Sequence, residues 1–388
     1  MLRKNLKKIV ISLLSIAIIV FGTNVVYAED TVGQNNENNT TLLSEEVPEE
    51  LIDLVKGRLI YFDSILLNDD GIPSGDKALG MPFSVYDDDV KETYYYFPLY
   101  HQDELIKTIF CYFDSYIDQW ETNMSGHLID ELTDFFSGEN ENSERVGFLQ
   151  KNADLYLVDE DSIVSLFYDS PVSEGVTTPS DLRWDEFDYQ ELTEEYEDTL
   201  IFTLPVTNKT TQRSLRSQGQ HYLHLDFLEN QGQTNWCAAY ATTSIIRYHT
   251  KNRTPTAEQM MRSLHPNSSN LPNQSASNAQ CISYATSHGF RGITDRWGVA
   301  TVTETVTEIN ANRPYWVSAE GQSSNYKKGR HAFVVRGYAN FDFYRTISVW
   351  NPWSTASYGY DLLNPDSQLI STHGSVWKQD SGLFSWHY

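Results

Sequence analysis

The stretch Gln231-Gly232-Gln233-Thr234-Asn235-Trp236-Cys237-Ala238-Ala239-Tyr240 brings a cysteine, an upstream glutamine and the start of a helix together. Asn235 or Thr234 can cap a helix that we predict from Trp236 to about Tyr248. A cysteine just inside a helix N-terminus lies near unpaired backbone N–H groups and the positive end of the helix dipole, which favour a thiolate. Cys237 is therefore a candidate nucleophile.

Downstream of this stretch, helical patterns come first and strand patterns second. We predict helices from a Thr254 cap and Pro255 to Leu264, from Asn278 to His288, and around Val302 to Ile309. Strand-forming runs follow at 315–317, 331–338 and 346–351. This segregation is typical of an α+β domain rather than of an alternating α/β sheet.

A thiolate nucleophile needs a proton acceptor that can later protonate a leaving amine, and histidine suits both tasks. His249 shares the predicted cysteine helix but lies roughly three turns from Cys237. His265 and His288 lie at predicted helix ends, where a structural cation is common. His331 opens a strand where a loop meets a sheet, and we predict that it is the general base.

A predicted hairpin supplies a partner for this histidine. If the turn lies near Phe341, His331 comes opposite Asn351 to within about two residues. The side-chain oxygen of an asparagine can accept the second imidazole N–H and hold the ring. Trp353 would shield that hydrogen bond from water.

An amide donor completes the predicted site. The side chain of Gln231, six residues before Cys237, and the backbone N–H of the cysteine would supply two donors to a developing oxyanion. Gln233 is the alternative donor. Each residue also has a purely structural interpretation, as a core cysteine or a turn asparagine. The ordered set of Gln, Cys, His and Asn favours the catalytic one.

The N-terminus has the pattern of an export signal. Basic residues precede an apolar run from Ile9 to Phe21, and Ala28 offers a cleavage site. The run is shorter than the roughly 20 apolar residues that a membrane span needs. We therefore predict a signal peptide at 1–28, a secreted product, and no stable membrane anchor after cleavage.

Charge divides the rest of the chain. Residues 211–388 hold 15 Lys+Arg and 11 Asp+Glu, and the first 28 residues carry +4, so the total of −25 leaves −33 for residues 29–210. We predict a flexible lead at 29–50, a β-rich domain with one or two helices at 51–167, and an acidic linker at 168–216. The helices are expected at 51–67 and 127–136. Arg213 and Arg216 make the end of the linker a candidate processing region.

The three cysteines cannot form a disulfide framework, so a hydrophobic core must stabilise the exported chain. We interpret Cys111 and Cys281 as buried apolar residues. A Cys237–Cys281 disulfide would abolish a thiol activity and is the less favoured alternative. The sequence contains no metal-ligand cluster, phosphate-binding glycine loop or basic aromatic patch, so we expect no cofactor, no metal and no nucleic-acid partner.

Four ordered motifs resemble the staphopain family of secreted papain-like cysteine peptidases. They are Gln-Gly-x-x-x-Trp-Cys-Ala at 231–238, Met-Arg-Ser-Leu-His-Pro-Asn at 261–267, His-Ala-Phe-Val-Val at 331–335 and Trp-Asn-Pro-Trp at 350–353. The resemblance covers about residues 220–388. Asn235 and Ala239 depart from it, since the family often carries glycine there, and the linker at 168–210 has no counterpart.

The resemblance implies a two-lobed papain-like peptidase at 217–388, with a helical lobe and an antiparallel β lobe. It implies Cys237 as nucleophile, His331 as base and acid, Asn351 as orienter and Gln231 as oxyanion donor. The region near Leu79-Gly80-Met81-Pro82-Phe83 and Tyr94-Tyr95-Tyr96-Phe97-Pro98 more weakly resembles the family propeptide, an intramolecular inhibitor, which we assign to residues 51–167. Peptide substrates are the other expected partners, and a dedicated protein inhibitor is a further candidate. A catalytically silent binding module and an acyltransferase on the same scaffold remain alternatives.

Overall fold

The computed structural model describes residues 41–75, 77–88, 91–102, 104–126, 128–129, 132, 145–151, 154–158, 163–165, 190–191, 202–203, 217–232, 234–321, 330–342, 344–353, 358–362, 369–372 and 375–388. The predicted signal peptide and nearly all of the predicted acidic linker lie outside these residues, as does most of the helix predicted at 127–136. By its contacts, the chain divides into two compact units.

The first unit takes Met1–Lys56, Asp76–Thr108 and Leu128–Thr203, and it is rich in strands. Its elements, two of which continue into the second unit, are β1 (Thr41–Ser44), α1 (Glu49–Asp69), β2 (Lys77–Leu79), β3 (Phe83–Asp87), β4 (Glu92–His101), β5 (Glu104–Asp114), β7 (Arg145–Lys151), β8 (Asp154–Val158), β9 (Ile163–Ser165), β10 (Gln190–Glu191) and β11 (Phe202–Thr203). Strand β4 pairs antiparallel with β2 and β3, and β3 pairs parallel with β7. Phe83 lies opposite Tyr96 in this ladder, and the two rings stack 5.5 Å apart in the core.

Most predicted strands of this unit coincide with observed ones, but its start differs from the prediction. Residues 41–44, assigned to a flexible lead, form β1, which pairs with β7 and β10. Helix α1 runs from Glu49 to Asp69, two residues longer at each end than predicted. The pairing partners of β1 lie about a hundred or more residues away in the chain, so local composition does not reveal it.

The second unit takes Gly57–Gly75, Ile109–His127 and Leu204–Tyr388. Besides parts of α1 and β5, its elements are β6 (Gln119–Ser125), β12 (Ser217–Tyr222), α2 (Cys237–Thr250), α3 (Ala257–Leu264), α4 (Asn278–Ser287), β13 (Thr294–Trp297), α5 (Val302–Asn310), β14 (Tyr315–Gly321), β15 (Arg330–Phe341), β16 (Arg345–Trp350), β17 (Tyr358–Leu362), β18 (Leu369–Thr372) and β19 (Ser375–Phe384). Helices precede strands here. The α+β prediction, with a β-rich N-terminal region, is confirmed.

The β lobe of the second unit is antiparallel. Strand β15 pairs with β14 and β12 along one edge and with β16 along the other. Strand β17 continues the sheet beyond β16, and β19 continues it beyond β14. Through Trp316, Val334 and Trp350, all at most 1% exposed, the sheet packs into one core with the helices.

Helix α2 is the centre of the helical lobe, and its residues from Cys237 to Arg247 are all buried. Alanines at 238, 239 and 241 let neighbouring elements approach closely. Two of its buried hydroxyls bond within the helix, since Thr243 Oγ1 donates to the Ala239 carbonyl at 2.9 Å and Ser244 Oγ to that of Ala241 at 2.8 Å. A helix buried on all sides holds its first residue in a fixed position.

Helix caps explain where the other helices begin. Thr256 with Gln259, Ser277 with Gln280 and Thr301 with Glu304 each form a reciprocal capping box at the start of α3, α4 and α5. The predicted cap of α3 at Thr254 is wrong, because Thr256 is the N-cap residue and the helix begins at Ala257. Among the described residues, no helix has the length and apolarity to span a bilayer.

Candidate active site

Cys237 is the first residue of α2 and is 4% exposed. The predicted caps are wrong, since Trp236 occupies the N-cap position without a side-chain cap hydrogen bond. The main-chain N–H of Asn235 instead donates to Asn273 Oδ1 at 2.6 Å, and Thr234 Oγ1 donates to the Gln231 carbonyl at 2.7 Å. The N-cap side chain therefore does not compete with an anion for the first-turn N–H groups.

Opposing effects act on the Cys237 thiol. Burial raises its pKa, but the hydrogen bond and charge of His331 outweigh burial, with smaller help from Ser275 and the backbone of Ala332, and the pKa falls to about 7. The sulfur lies 3.6 Å from Ser275 Oγ and 4.0 Å from the carbonyl oxygen of Arg330. A large share of the cysteine is thus thiolate near neutral pH.

His331 lies at the start of β15, is 4% exposed, and is held by Asn351. The distance between His331 Nε2 and Asn351 Oδ1 is 2.8 Å, and the main-chain N–H of Trp353 donates to the same oxygen at 3.0 Å. Because that oxygen accepts, Nε2 carries the hydrogen, which leaves a lone pair on Nδ1 that can accept a proton. The rings of Trp353, Phe333 and Trp377 lie 4.7, 4.7 and 5.3 Å from the imidazole and shield it from water.

The register of the β15–β16 hairpin explains how the two residues meet. Val334 pairs with Trp350, and a bulge follows between Val335 and Gly337. Continued past its last pair, this register makes His331 a diagonal neighbour of Asn351. The offset of two residues lies within the tolerance of the predicted pairing. Diagonal neighbours on one face of a sheet are within reach of long side chains.

Gln231 is 7% exposed and lies between the two halves of the site. Its main-chain N–H donates to the carbonyl oxygen of Pro352 at 2.7 Å, and its side-chain Nε2 donates to the carbonyl of Thr234 in a short hydrogen bond. An amide nitrogen carries two hydrogens, so one such bond does not exhaust its donors. Gln233, the alternative donor, lies outside the described residues.

Ser275 was missed by the sequence reasoning, although its hydroxyl contacts the cysteine sulfur. Its loop is tied to the start of α2, because Trp236 Nε1 donates to the Pro272 carbonyl at 2.9 Å and Asn235 bonds to Asn273 through two hydrogen bonds. The capping box at Ser277 fixes the other end of the loop. No local pattern marks this serine, since tertiary contacts alone bring it to the site.

The remaining histidines and cysteines lie in other surroundings. His265 and His288 are the C-cap residues of α3 and α4. Burial lowers the pKa of His249 to about 4, with Lys251 and Arg313 adding to the effect. Cys281 is free and fully buried, and burial raises its pKa to about 12. Across the described ranges, no group of three or more His, Cys, Asp or Glu side chains could hold a metal ion.

The family model "Staphopain peptidase C47" matches residues 220–374, which include all four predicted site residues. This segment belongs to the staphopain family. Curated relatives include Staphopain B from Staphylococcus aureus strains MSSA476, MW2 and N315, each 22% identical over 371 residues, which cover 93% of this chain and 92% of theirs. The similarity to these staphopains therefore extends well beyond the peptidase segment into the N-terminal region.

Proposed function

We propose that this chain is a secreted cysteine endopeptidase, made as an inactive zymogen, that cleaves peptide bonds with Cys237, His331, Asn351 and Gln231. The observation that carries the proposal is the Cys237 sulfur beside His331, whose ring is held by Asn351. A nucleophile, a base and a group that orients the base are the parts that acyl transfer requires.

In the proposed reaction, the Cys237 thiolate attacks the carbonyl carbon of the substrate peptide bond. His331 holds the proton taken from the thiol and gives it to the departing amine as the C–N bond breaks. The acyl group remains on sulfur as a thioester. Water, deprotonated by His331, then hydrolyses the thioester, releases the acid and restores the thiol.

The tetrahedral intermediates carry negative charge on oxygen, and the start of α2 is where that charge would be stabilised. The backbone N–H of Cys237 and the side-chain amide of Gln231 are the two proposed donors. The link from Gln231 to Pro352 supports this role, because it fixes the glutamine relative to the segment that orients His331.

Labelling with an epoxysuccinyl thiol-protease probe tests the nucleophile. We expect one modified cysteine, Cys237, located by mass spectrometry of the processed protein. The Cys237→Ala variant should lose labelling, whereas Cys281→Ala should keep it, since Cys281 is buried and its thiol stays protonated. An intact fold without label on Cys237 would favour the silent binding module.

Product analysis separates the peptidase from the acyltransferase. Casein should give new N-termini and free acids in the presence of an added primary amine. If most product instead carries the amine as an amide, the thioester is being transferred to nitrogen rather than to water, and the hydrolase proposal is wrong.

The zymogen part of the proposal rests on the N-terminal region. The matched relatives align with 93% of the chain, whereas the family model begins only at residue 220, so the relatives share a long segment ahead of the peptidase. Processing would fall within 168–216, at or near Arg213 and Arg216. Secretion rests on the pattern of residues 1–28.

Expression of the Cys237→Ala variant tests self-processing. If the chain cuts itself, the variant stays full length while the unaltered protein shortens. Equal rates of processing for the two would remove autocatalysis and point to another protease.

A further inference from the structure

Helix α1 presents one face to the tip of the β15–β16 hairpin within the second unit. Tyr61 lies 5.1 Å from the rings of both Phe341 and Tyr344, Phe62 lies 5.9 Å from Tyr344, and the Arg58 guanidinium lies 5.0 Å from the same ring. Residues three and four apart share a helix face, so these contacts form one continuous surface. The helix is therefore docked on the hairpin along this side.

The same face ends in a buried ion pair. Asp69, the last residue of α1, receives two hydrogen bonds from the Arg336 guanidinium of β15, one of 3.0 Å from Nη1 to Oδ1 and a shorter one from Nη2 to Oδ2. Both side chains are only 1% exposed. Arg336 also donates to the Leu223 carbonyl at 3.3 Å, and its guanidinium lies 5.9 Å from the Tyr222 ring. This two-pronged geometry matches the two oxygens of a carboxylate.

Asp69 is locally unfavourable where it stands. A carboxylate in the last turn of a helix faces the negative end of the dipole, and α1 has no basic residue in that turn. Burial adds a desolvation cost for both charges. The pairing with Arg336 offsets these costs, and each charge therefore depends on the other.

A second contact joins the N-terminal region to the peptidase segment. Strand β6 pairs with β17 through Met124 and Tyr360, and Asn123 Nδ2 donates to the Ser371 carbonyl at 2.7 Å. Arg336 lies five residues along β15 from His331, about 17 Å at strand spacing. The docked face is therefore separate from the catalytic groups.

We infer that Arg336 and the hairpin tip form a carboxylate-binding docking surface that keeps residues 57–75 bound to the peptidase domain after the linker is cut. The inference rests on the proposed processing within 168–216. The contacts named above involve no residue of 168–216, so cutting the linker leaves them in place, and release of α1 would separate the buried guanidinium from its carboxylate. The N-terminal fragment is thus retained as a bound subunit until a further event removes it.

The test uses the full chain with the cleavage sequence of a site-specific protease inserted within 168–216, on a Cys237→Ala background. After cutting, we expect the two fragments to co-elute in size-exclusion chromatography at physiological salt. Asp69→Asn should raise their dissociation rate about 30-fold or more, because it leaves a buried charge without its partner. Asp70→Asn, the same change at the exposed neighbouring residue, should leave the rate unchanged.

Tyr61→Ala is a second test variant, for use if Asp69→Asn fails to fold before the linker is cut. It removes the ring contacts with Phe341 and Tyr344 and should also speed dissociation. Immediate separation of the unaltered fragments, or equal rates for Asp69→Asn and Asp70→Asn, would overturn the inference. Because the Cys237→Ala background has no nucleophile and the cut is engineered, these outcomes are independent of whether the proposed peptidase function holds.

Discussion

The main-chain N–H of Gln231 donates a 2.7 Å hydrogen bond to the carbonyl oxygen of Pro352. Gln231 leads into the cysteine helix, and Pro352 lies between Asn351, which holds His331, and Trp353, which packs on it. One backbone bond thus joins the segment with the proposed oxyanion donor to the segment that orients the base. Side-chain substitutions at Gln231 leave this link in place.

Replacing Gln231 by alanine tests the amide alone. We expect kcat to fall about 10²–10³-fold, the usual effect of losing one oxyanion donor, with KM little changed. Alkylation of Cys237 by iodoacetamide, which forms no oxyanion, should keep its rate. Gln274→Ala, in the exposed loop beside Ser275, is the matched control and should leave kcat unaltered.

Asn351→Ala should lower kcat/KM about ten- to hundredfold, because it removes the acceptor that fixes the ring of His331. The same change leaves the partly buried main-chain N–H of Trp353 without this acceptor, so the melting temperature should fall as well. Steady-state kinetics and thermal denaturation measure the two effects. Asn340→Ala, at the far end of the hairpin, should not affect kcat; an equal loss there would indicate a general hairpin defect.

The pH dependence of Cys237 alkylation should have its midpoint near pH 7, because the thiol pKa is lowered to about 7. Denatured protein should titrate near 8.5. Since the folded pKa is the lower one, the thiolate stabilises the fold above the unfolded pKa, and this contribution is lost as pH falls through about 7. His331→Ala should move the midpoint upward. An unchanged midpoint would contradict the assigned partner.

Ser275→Ala should raise the same midpoint by about half to one unit, because the hydroxyl is a hydrogen-bond partner of the cysteine sulfur. Ser275→Thr keeps a hydroxyl and should restore the original profile. A serine that only supports the loop would alter stability without moving the midpoint, so the pH profile separates the two roles.

Two glutamates offer a comparison of buried and exposed ion pairs. Glu229 Oε1 lies 2.6 Å from the Arg247 guanidinium, whose side chain is only 2% exposed. Glu229→Ala should reduce the free energy of unfolding by about 3–5 kcal/mol, since it leaves a buried charge unpaired. Glu258 pairs with Arg262, and their side chains are 56% and 59% exposed. Glu258→Ala should reduce the free energy of unfolding by less than about 1 kcal/mol. Urea denaturation measures the free energy of unfolding of both variants. Equal reductions for Glu229→Ala and Glu258→Ala would show that burial of the arginine does not determine the size of the effect.

The parts of the site that sequence predicted are those with a local pattern. Cys237 begins a helix, and strand patterns alone placed His331 and Asn351 near each other on one hairpin. The cysteine was joined to them by the ordered set of Gln, Cys, His and Asn and by the family resemblance. The same sequence patterns also predicted that helices precede strands in the C-terminal part of the chain. The hairpin register differed because the turn lies between Asn340 and Arg345, one to two residues beyond the expected position at Phe341, and the bulge between Val335 and Gly337 reduces that offset.

The parts that sequence did not predict depend on distant contacts. Asn235 was a reasonable helix cap, but Asn273, 38 residues away, takes its N–H. Ser275 reaches Cys237 only through that loop. Asp69 and Arg336 are 267 residues apart, and nothing in either neighbourhood marks them as partners. Such pairings are determined by tertiary packing and not by the local sequence pattern of a helix or strand.

The three cysteines of the chain are all free, and the loop of Asn273 is fastened to the cysteine helix by hydrogen bonds rather than by a covalent bridge. A thiol nucleophile outside the cell is exposed to oxidants and regains its activity only through reduction. Since no cross-link holds this fold together, reducing agents that rescue Cys237 leave the architecture untouched. Reduction of an oxidised Cys237 would therefore break no disulfide of this fold.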